Sequence, residues 1–523
     1  MNVLFLVSDD LRPQLGSYAK DSYPPYVSPK MYTPNLDSLA SRSLVLERAY
    51  VQQALCGPSR ASLLTGRRPD TTHVYQCGRY FREKGGNFTT IPQYFKMNGY
   101  RSIGMGKVFH SKGKNSGGDD PVSWSEPYFH GIPNYEEIGN SWAAIPDKEL
   151  HSKPLLDDQT AKHAIVTLRK LATDVNTDKR PFFLAVGFRR PHLPFVFPKS
   201  FLKYYPDVHL PDNPNPPYNM PSVAWNSFGR FTNYIDVKYT GPRSKAKLTK
   251  ESTLSLRRAY YSSVTWVDHL IGNILQELDD LGLSNNTIIS FIGDHGYQLG
   301  EHGEWGKQTN FELSNHAPMM LHIPGKTNQG IRSKSLVEFV DLFPTLVDSV
   351  GLKQLPLCPQ HSANIESCRE GISFLPLINE PTKPIREAAF SQYPRQNYMG
   401  YSIKTDRYRY TEWPVFDNIK FKPKWSKSPR IELYDHKLDP EENRNRAFDK
   451  SYDLIKQRLS KILREGWKRS LINSLDVTEN KTHDVLEHYH NNKKPTITYY
   501  LIFGNMSFFI VMIMIFWKWV THR

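Results

Sequence analysis

The sequence predicts an α/β protein: a large, mixed and mostly parallel sheet sandwiched by helices, with a smaller α+β domain near the C-terminus. Three observations carry this. Short apolar runs, most ending on Asp, Gly or Pro, alternate with longer stretches of helical spacing, as strands buried on both faces require. After about residue 385 the pattern changes to period-two alternation. At 523 residues and 39% hydrophobic content, the chain is long enough for one large domain and one smaller one.

In the first domain, residues 1–385, strands are expected at 3–7, 100–105, 182–188, 287–292 and 319–323. The helices expected between them lie at 35–43, 91–97, 159–173 and 253–281. In the second domain, residues 386–472, segments 399–405 and 408–413 alternate as exposed antiparallel strands, and 452–471 reads as an amphipathic closing helix. Residues 473–495 read as a polar stalk, and 496–520 as a transmembrane segment, because 496–517 contain no Asp, Glu, Lys or Arg. The expected partners therefore include a membrane.

The start of the chain reads as a core strand, too short and too poorly flanked for a secretory signal. Sequons beginning at Asn87, Asn285 and Asn480 nevertheless suit a secretory route. Cys358 and Cys368 would close a small surface loop as a disulfide in an oxidising compartment. The expectation is thus a lysosomal or secretory protein, membrane-anchored at its C-terminus, whose signal peptide is missing from this sequence.

A formal charge of +15 favours polyanionic partners such as nucleic acid, anionic lipid or sulfated polysaccharide. No zinc-finger spacing or RNP-type aromatic run is present, so nucleic acid is not among the expected partners.

Two kinds of motif carry chemistry. Cys56-Gly57-Pro58-Ser59-Arg60 opens a helical stretch, placing a cysteine where unpaired N–H groups attract an anion. A reactive thiol and a buried structural cysteine both fit these residues taken alone. Asp9-Asp10 and Asp294-His295 each follow an apolar strand, where α/β sheets bind ligands, and their hard oxygens suit Ca²⁺ or Mg²⁺.

The C-x-P-S-R run resembles the signature of type I sulfatases, and the resemblance continues through residues 3–10, Thr33-Pro34-Asn35-Leu36-Asp37, Thr65-Gly66, Gly106-Lys107 and Gly293-Asp294-His295-Gly296. It implies the alkaline-phosphatase-like sulfatase fold and a formylglycine made from Cys56 by a formylglycine-generating enzyme. It implies one Ca²⁺ held by Asp9, Asp10, Asp294, His295 and an oxygen of the modified Cys56. By the same resemblance Arg60 steadies the nucleophile, Lys107 and Lys307 bind sulfate, and His110 and His192 assist nucleophile turnover and leaving-group protonation. Tyr297, His302 and Trp305 would wall the sugar subsite, Tyr297 standing where the family carries Trp.

Over most of residues 1–470 the chain is similar to the branch of that family acting on the 2-O-sulfate of iduronate in heparan and dermatan sulfate. The residues behind this narrower match include Ser8-Asp9-Asp10-Leu11-Arg12-Pro13, Pro191-His192-Leu193-Pro194-Phe195 and Ser391-Gln392-Tyr393-Pro394-Arg395. The implied activity is sulfuric ester hydrolysis in glycosaminoglycan degradation. The alternatives are a sulfatase of another sugar specificity, a metal-dependent phosphatase or phosphodiesterase, which would normally place Ser or Thr at position 56, and a membrane-anchored glycan-binding protein whose Cys56 stays unmodified.

Overall fold

Seven strands build the main sheet: β1 (Asn2–Ser8), β2 (Leu44–Leu46), β3 (Arg101–Gly106), β4 (Phe182–Phe188), β5 (Thr287–Gly293), β6 (Met319–His322) and β7 (Ile331–Ser333). Their order is β7-β2-β6-β5-β1-β4-β3. This computed structural model describes residues 1–18, 30–110, 117–136, 139–174, 178–226, 231–241, 246–360, 362–425 and 429–471.

Strand β1 is apolar from 3 to 7 because both its faces are covered. Leu4 and Leu6 face α1 (Pro34–Ala40), while Val3, Phe5 and Val7 face α2 (Cys56–Thr65) and α3 (Ile91–Met97). The first face is completed by α4 (Leu156–Asp174) and α5 (Lys250–Asp280), the second by α6 (Leu342–Ser349). Helix α3 begins where the sequence dictates: the Thr90 side chain accepts from Gln93 N, Gln93 reciprocates, and Pro92 occupies the first turn.

Pairings of β1 with β5 and β4, of β3 with β4 and of β7 with β2 are parallel, whereas β6 runs antiparallel to both β5 and β2. The sheet is therefore mixed and mostly parallel, as expected. Strands β2 and β7 were not among the expected strands, since three residues are too few to establish a period.

The second sheet contains β8 (Ala389–Arg395), β9 (Tyr398–Lys404), β10 (Tyr408–Trp413), β11 (Val415–Asp417), β12 (Lys422–Lys424) and β13 (Arg430–Asp435). Its central strands are not exposed as the alternation suggested. Residues 409–413 of β10 are buried. Helix α7 (Asp453–Glu465) packs Leu459, Ile462 and Leu463 against Ile403, Tyr410 and Leu433, and Arg409 reaches Glu312 on the first unit of sheet and helices. Helix α7 stops short of the expected residue 471 because Gly466 caps it at φ +84°, a conformation glycine adopts freely.

Cys358 and Cys368 are joined as expected, with Cα atoms 5.0 Å apart. No helix among the described residues is long and apolar enough to cross a membrane. The expected stalk at 473–495 and span at 496–520 lie outside the described residues.

Candidate active site

Parallel pairing of β1 and β5 sets Ser8 opposite Gly293, so Asp9-Asp10 and Asp294-His295 leave the sheet side by side at its carboxyl edge. Asp10 turns there with φ +63°, a left-handed conformation that an Asp holds only when its surroundings fix it. Strand β3 delivers Lys107 to the same edge. Gly106 is required at that step: its φ is +71°, and a Cβ would collide with the carbonyl of Gly187 on β4. Cys56 is the first residue of α2, whose amino end points into the cluster.

The side chains converge tightly. Arg60 Nε donates to Asp294 Oδ2 at 3.0 Å and its Nη2 to Asp9 Oδ1 at 3.2 Å, while Nη1 donates to the carbonyl of Val108 at 2.9 Å. The backbone N–H of Asp10 donates to Asp294 Oδ1 at 2.9 Å. Lys107 is ion-paired to Asp9 and Lys307 to Asp10. His295 Nε2 stands 3.4 Å from Cys56 Sγ, 3.3 Å from Asp10 Oδ1 and 3.5 Å from Asp294 Oδ1.

Burial and crowding shift the titrations. Burial, with the neighbouring negative charge of Asp9, pushes Asp294 up to about 8. In His295, burial disfavours the charged ring, but Asp294 and Cys56 outweigh it and raise the value to about 9. His110 is driven down to about 4 by burial and by Lys107, and His192 is lowered by burial and both lysines.

The cluster opens into a cavity of about 650 Å³ lined by Cys56, Lys107, His110, His192 and Lys307. A second, of about 100 Å³, is lined by Asp10, His192, Tyr297, Trp305 and Lys307. The structure thus brings the expected nucleophile, cations and histidines together, with Tyr297 and Trp305 adjoining. His302 does not join them. It is buried against Phe311, with Nε2 at 2.6 Å from the Glu441 carbonyl, and lines neither cavity. Its backbone at φ +57° turns it away from the wall that its neighbour Trp305 forms.

Cys77, His130 and Arg189 line the larger cavity without having been singled out from sequence. Arg189 offered one signal, its place directly after an apolar strand. Cys77 and His130 offered none, since they lie in loops brought in from elsewhere in the chain.

The donor set fits a divalent cation. One atom each from Asp9, Cys56, Asp294 and His295 lie within 4.8 Å of one another, and the same holds for Asp9, Asp10, Cys56 and His192. Three buried carboxylates supply the hard oxygens such an ion requires.

A sequence profile described as Sulfatase matches residues 1–352. The chain belongs to the sulfatase family. A profile described as N-sulphoglucosamine sulphohydrolase, C-terminal, matches residues 300–469. Iduronate 2-sulfatase of Homo sapiens is 38% identical, with 86% of this chain and 91% of that protein covered. The enzyme of the same name from Mus musculus is 38% identical, covering 85% and 90%. A solved structure described as a 2-O GAG sulfatase superposes with a TM-score of 0.64 at 21% identity, covering 90% of this chain and 92% of the other, and shows the shared fold. This sulfatase is a sulfuric ester hydrolase.

Proposed function

We propose that the sulfatase hydrolyses the 2-O-sulfate of iduronate in heparan and dermatan sulfate, using position 56 as formylglycine. The observation that carries this reading is the larger cavity, where Lys107, Lys307 and Arg189 line the same space as Cys56. The 38% identity to iduronate 2-sulfatases supports the choice of sugar. Converted by a formylglycine-generating enzyme, position 56 supplies a hydrated aldehyde, one hydroxyl of which attacks sulfur while the other later expels sulfate. Asp9, Asp10, Asp294 and His295 would hold Ca²⁺, which would supply positive charge against the sulfate and the nucleophile.

The chain's own residues do the rest. Arg60 fixes Asp9 and Asp294 by its two-sided contact and so positions the acidic cluster. Lys107 and Lys307 turn charge toward the sulfate oxygens, where negative charge develops as the bond breaks. His110, neutral above about pH 4, accepts a proton at position 56. His192 lines both cavities, so it stands between the reacting centre and the sugar wall formed by Tyr297 and Trp305. Its lowered pKa makes its protonated form the stronger acid toward the departing sugar oxygen.

Arg189 receives the uronate carboxylate. Its Nε stands 2.8 Å from Glu136, and it borders the cavity on the wall reached from β4. A lysosomal or secretory setting is supported by the Cys358–Cys368 disulfide, and a membrane anchor at 496–520 by the uncharged run 496–517 within it.

The test compares 2-sulfated iduronate disaccharide, 6-sulfated glucosamine and an aryl sulfate, using protein whose position 56 is converted. The iduronate substrate is expected to turn over best. Arg189→Ala is expected to raise its KM about tenfold or more, the loss of one charge-assisted contact, and to leave aryl sulfate turnover unchanged. Equal turnover of either competitor by the wild-type enzyme overturns the assignment to iduronate.

A further inference from the structure

Position 56 has a neighbour that this chemistry does not use. Cys77 and Gly78 line the same cavity as Cys56. The segment carrying them folds back over the first turn of α2, so closely that a Cβ added to Gly57 would lie 2.8 Å from the Cys77 Cα. Gly57 is what lets the two backbones touch. With Cys358 and Cys368 already paired, these are the two cysteines left in the chain. Cys56 is buried while Cys77 is half-buried, so a small reagent entering the cavity meets Cys77 first.

We propose that Cys56 and Cys77 form a second disulfide site, closed by a low-molecular-weight disulfide such as oxidised glutathione in chains whose Cys56 has kept its sulfur. The exchange balances. The Cys77 sulfur attacks the reagent's S–S bond, releasing one reagent thiol that takes up the Cys77 proton. The Cys56 sulfur then displaces the second reagent thiol, which takes up the Cys56 proton, as the Cys56–Cys77 bond forms. Two protein thiols are oxidised and one reagent disulfide is reduced to two thiols.

The cross-link stands independently of the sulfatase reading. Its consequence rests on that reading: formylglycine has no sulfur at position 56, so conversion and cross-linking exclude one another. Each molecule then carries either a converted position 56 or a capped one.

The experiment uses full-length protein produced without the converting enzyme, treated with oxidised glutathione, alkylated and mapped by mass spectrometry without reduction. The expected result is a joined pair of peptides carrying positions 56 and 77, two hydrogens lighter than their sum, and separated by reductant. Cys77→Ser is expected to leave Cys56 alkylated or glutathionylated, with the Cys358–Cys368 pair still joined. Should that variant not fold, the wild-type protein before and after the oxidant gives the same comparison. Separate alkylation or glutathionylation of both cysteines in oxidised wild-type protein overturns the proposal. The readout is a linkage mass, so it is unaffected by whether the protein turns over any sulfate ester.

Discussion

Among the described residues, one buried cluster of opposite charges lies at the carboxyl edge of the main sheet and another where Arg409 of the second sheet meets Glu312. In the second, Arg409 Nε pairs with Glu442 Oε1 at 2.6 Å and its other arm with Glu312, while His436 Nε2 stands 2.8 Å from Glu442. Glu442 also accepts from the Glu312 backbone N–H at 2.7 Å. Burial disfavours the Glu442 carboxylate, but Arg409 outweighs it and holds the group down at about 2. Asp294 is equally buried and moves the other way, to about 8, because the charge of Asp9 adds to burial.

The difference lies in what each cluster faces. Glu312, His436 and Glu442 bring donor atoms together just as the sheet-edge groups do, yet Arg409 already fills the space between the two carboxylates. A matched carboxylate with an arginine fork upon it is a structural clasp. At the sheet edge Arg60 also forks onto two carboxylates, but there the neighbouring Cys56, Lys107 and Lys307 line a cavity of about 650 Å³, the setting in which shifted titrations point to chemistry.

The largest effect that separates the clusters is on turnover. Cys56→Ala is expected to lower sulfate-ester hydrolysis by more than about 10³-fold with an unchanged melting temperature, since it removes the nucleophile without adding bulk. A purified variant with wild-type turnover breaks the comparison on the catalytic side. Arg409→Met is expected to do the reverse. It leaves two buried carboxylates uncompensated, costing about 3–5 kcal/mol of stability in denaturant unfolding, with turnover per folded molecule unchanged. Loss of turnover without loss of stability would make the seam part of the site.

How much of this was legible in the sequence depended on how local each cause is. Strand β1 was readable because both faces are covered, which leaves an unbroken apolar run ending on Ser8-Asp9-Asp10. Helix α3 was readable from Thr90, Pro92 and Gln93. The burial of β10 was not, because the groups covering it, α7 and Glu312, lie far away in the chain. The nucleophile, the acidic pairs and the cations sit in short motifs at strand or helix ends, whereas Arg189, His130 and Cys77 reach the cavity through the fold. His302 shows the converse: lying within a motif did not place it in the pocket.

The smallest expected effect sharpens the stability side. Burial raises the pKa of Glu304 to about 7 and of Glu432 to about 7, so the folded state holds protons that the unfolded chain releases from its ordinary value near 4.5 upward. Their stabilising contribution is full below that unfolded value and is lost as pH rises through about 7. The melting temperature of the wild-type protein is expected to fall between about pH 5 and about pH 8. Glu304→Gln should reduce that fall by about 2 °C, leaving the Glu432 share. An identical pH profile in the variant would remove Glu304 from the account.

The central claim is that the sheet-edge cluster works through a converted position 56. It is tested most directly by preparing the protein with graded amounts of formylglycine-generating enzyme, and plotting sulfate release against the fraction of formylglycine found in the position-56 peptide. The account predicts a straight line through the origin. Turnover in a preparation whose Cys56 is wholly retained, or none in one wholly converted, would contradict it.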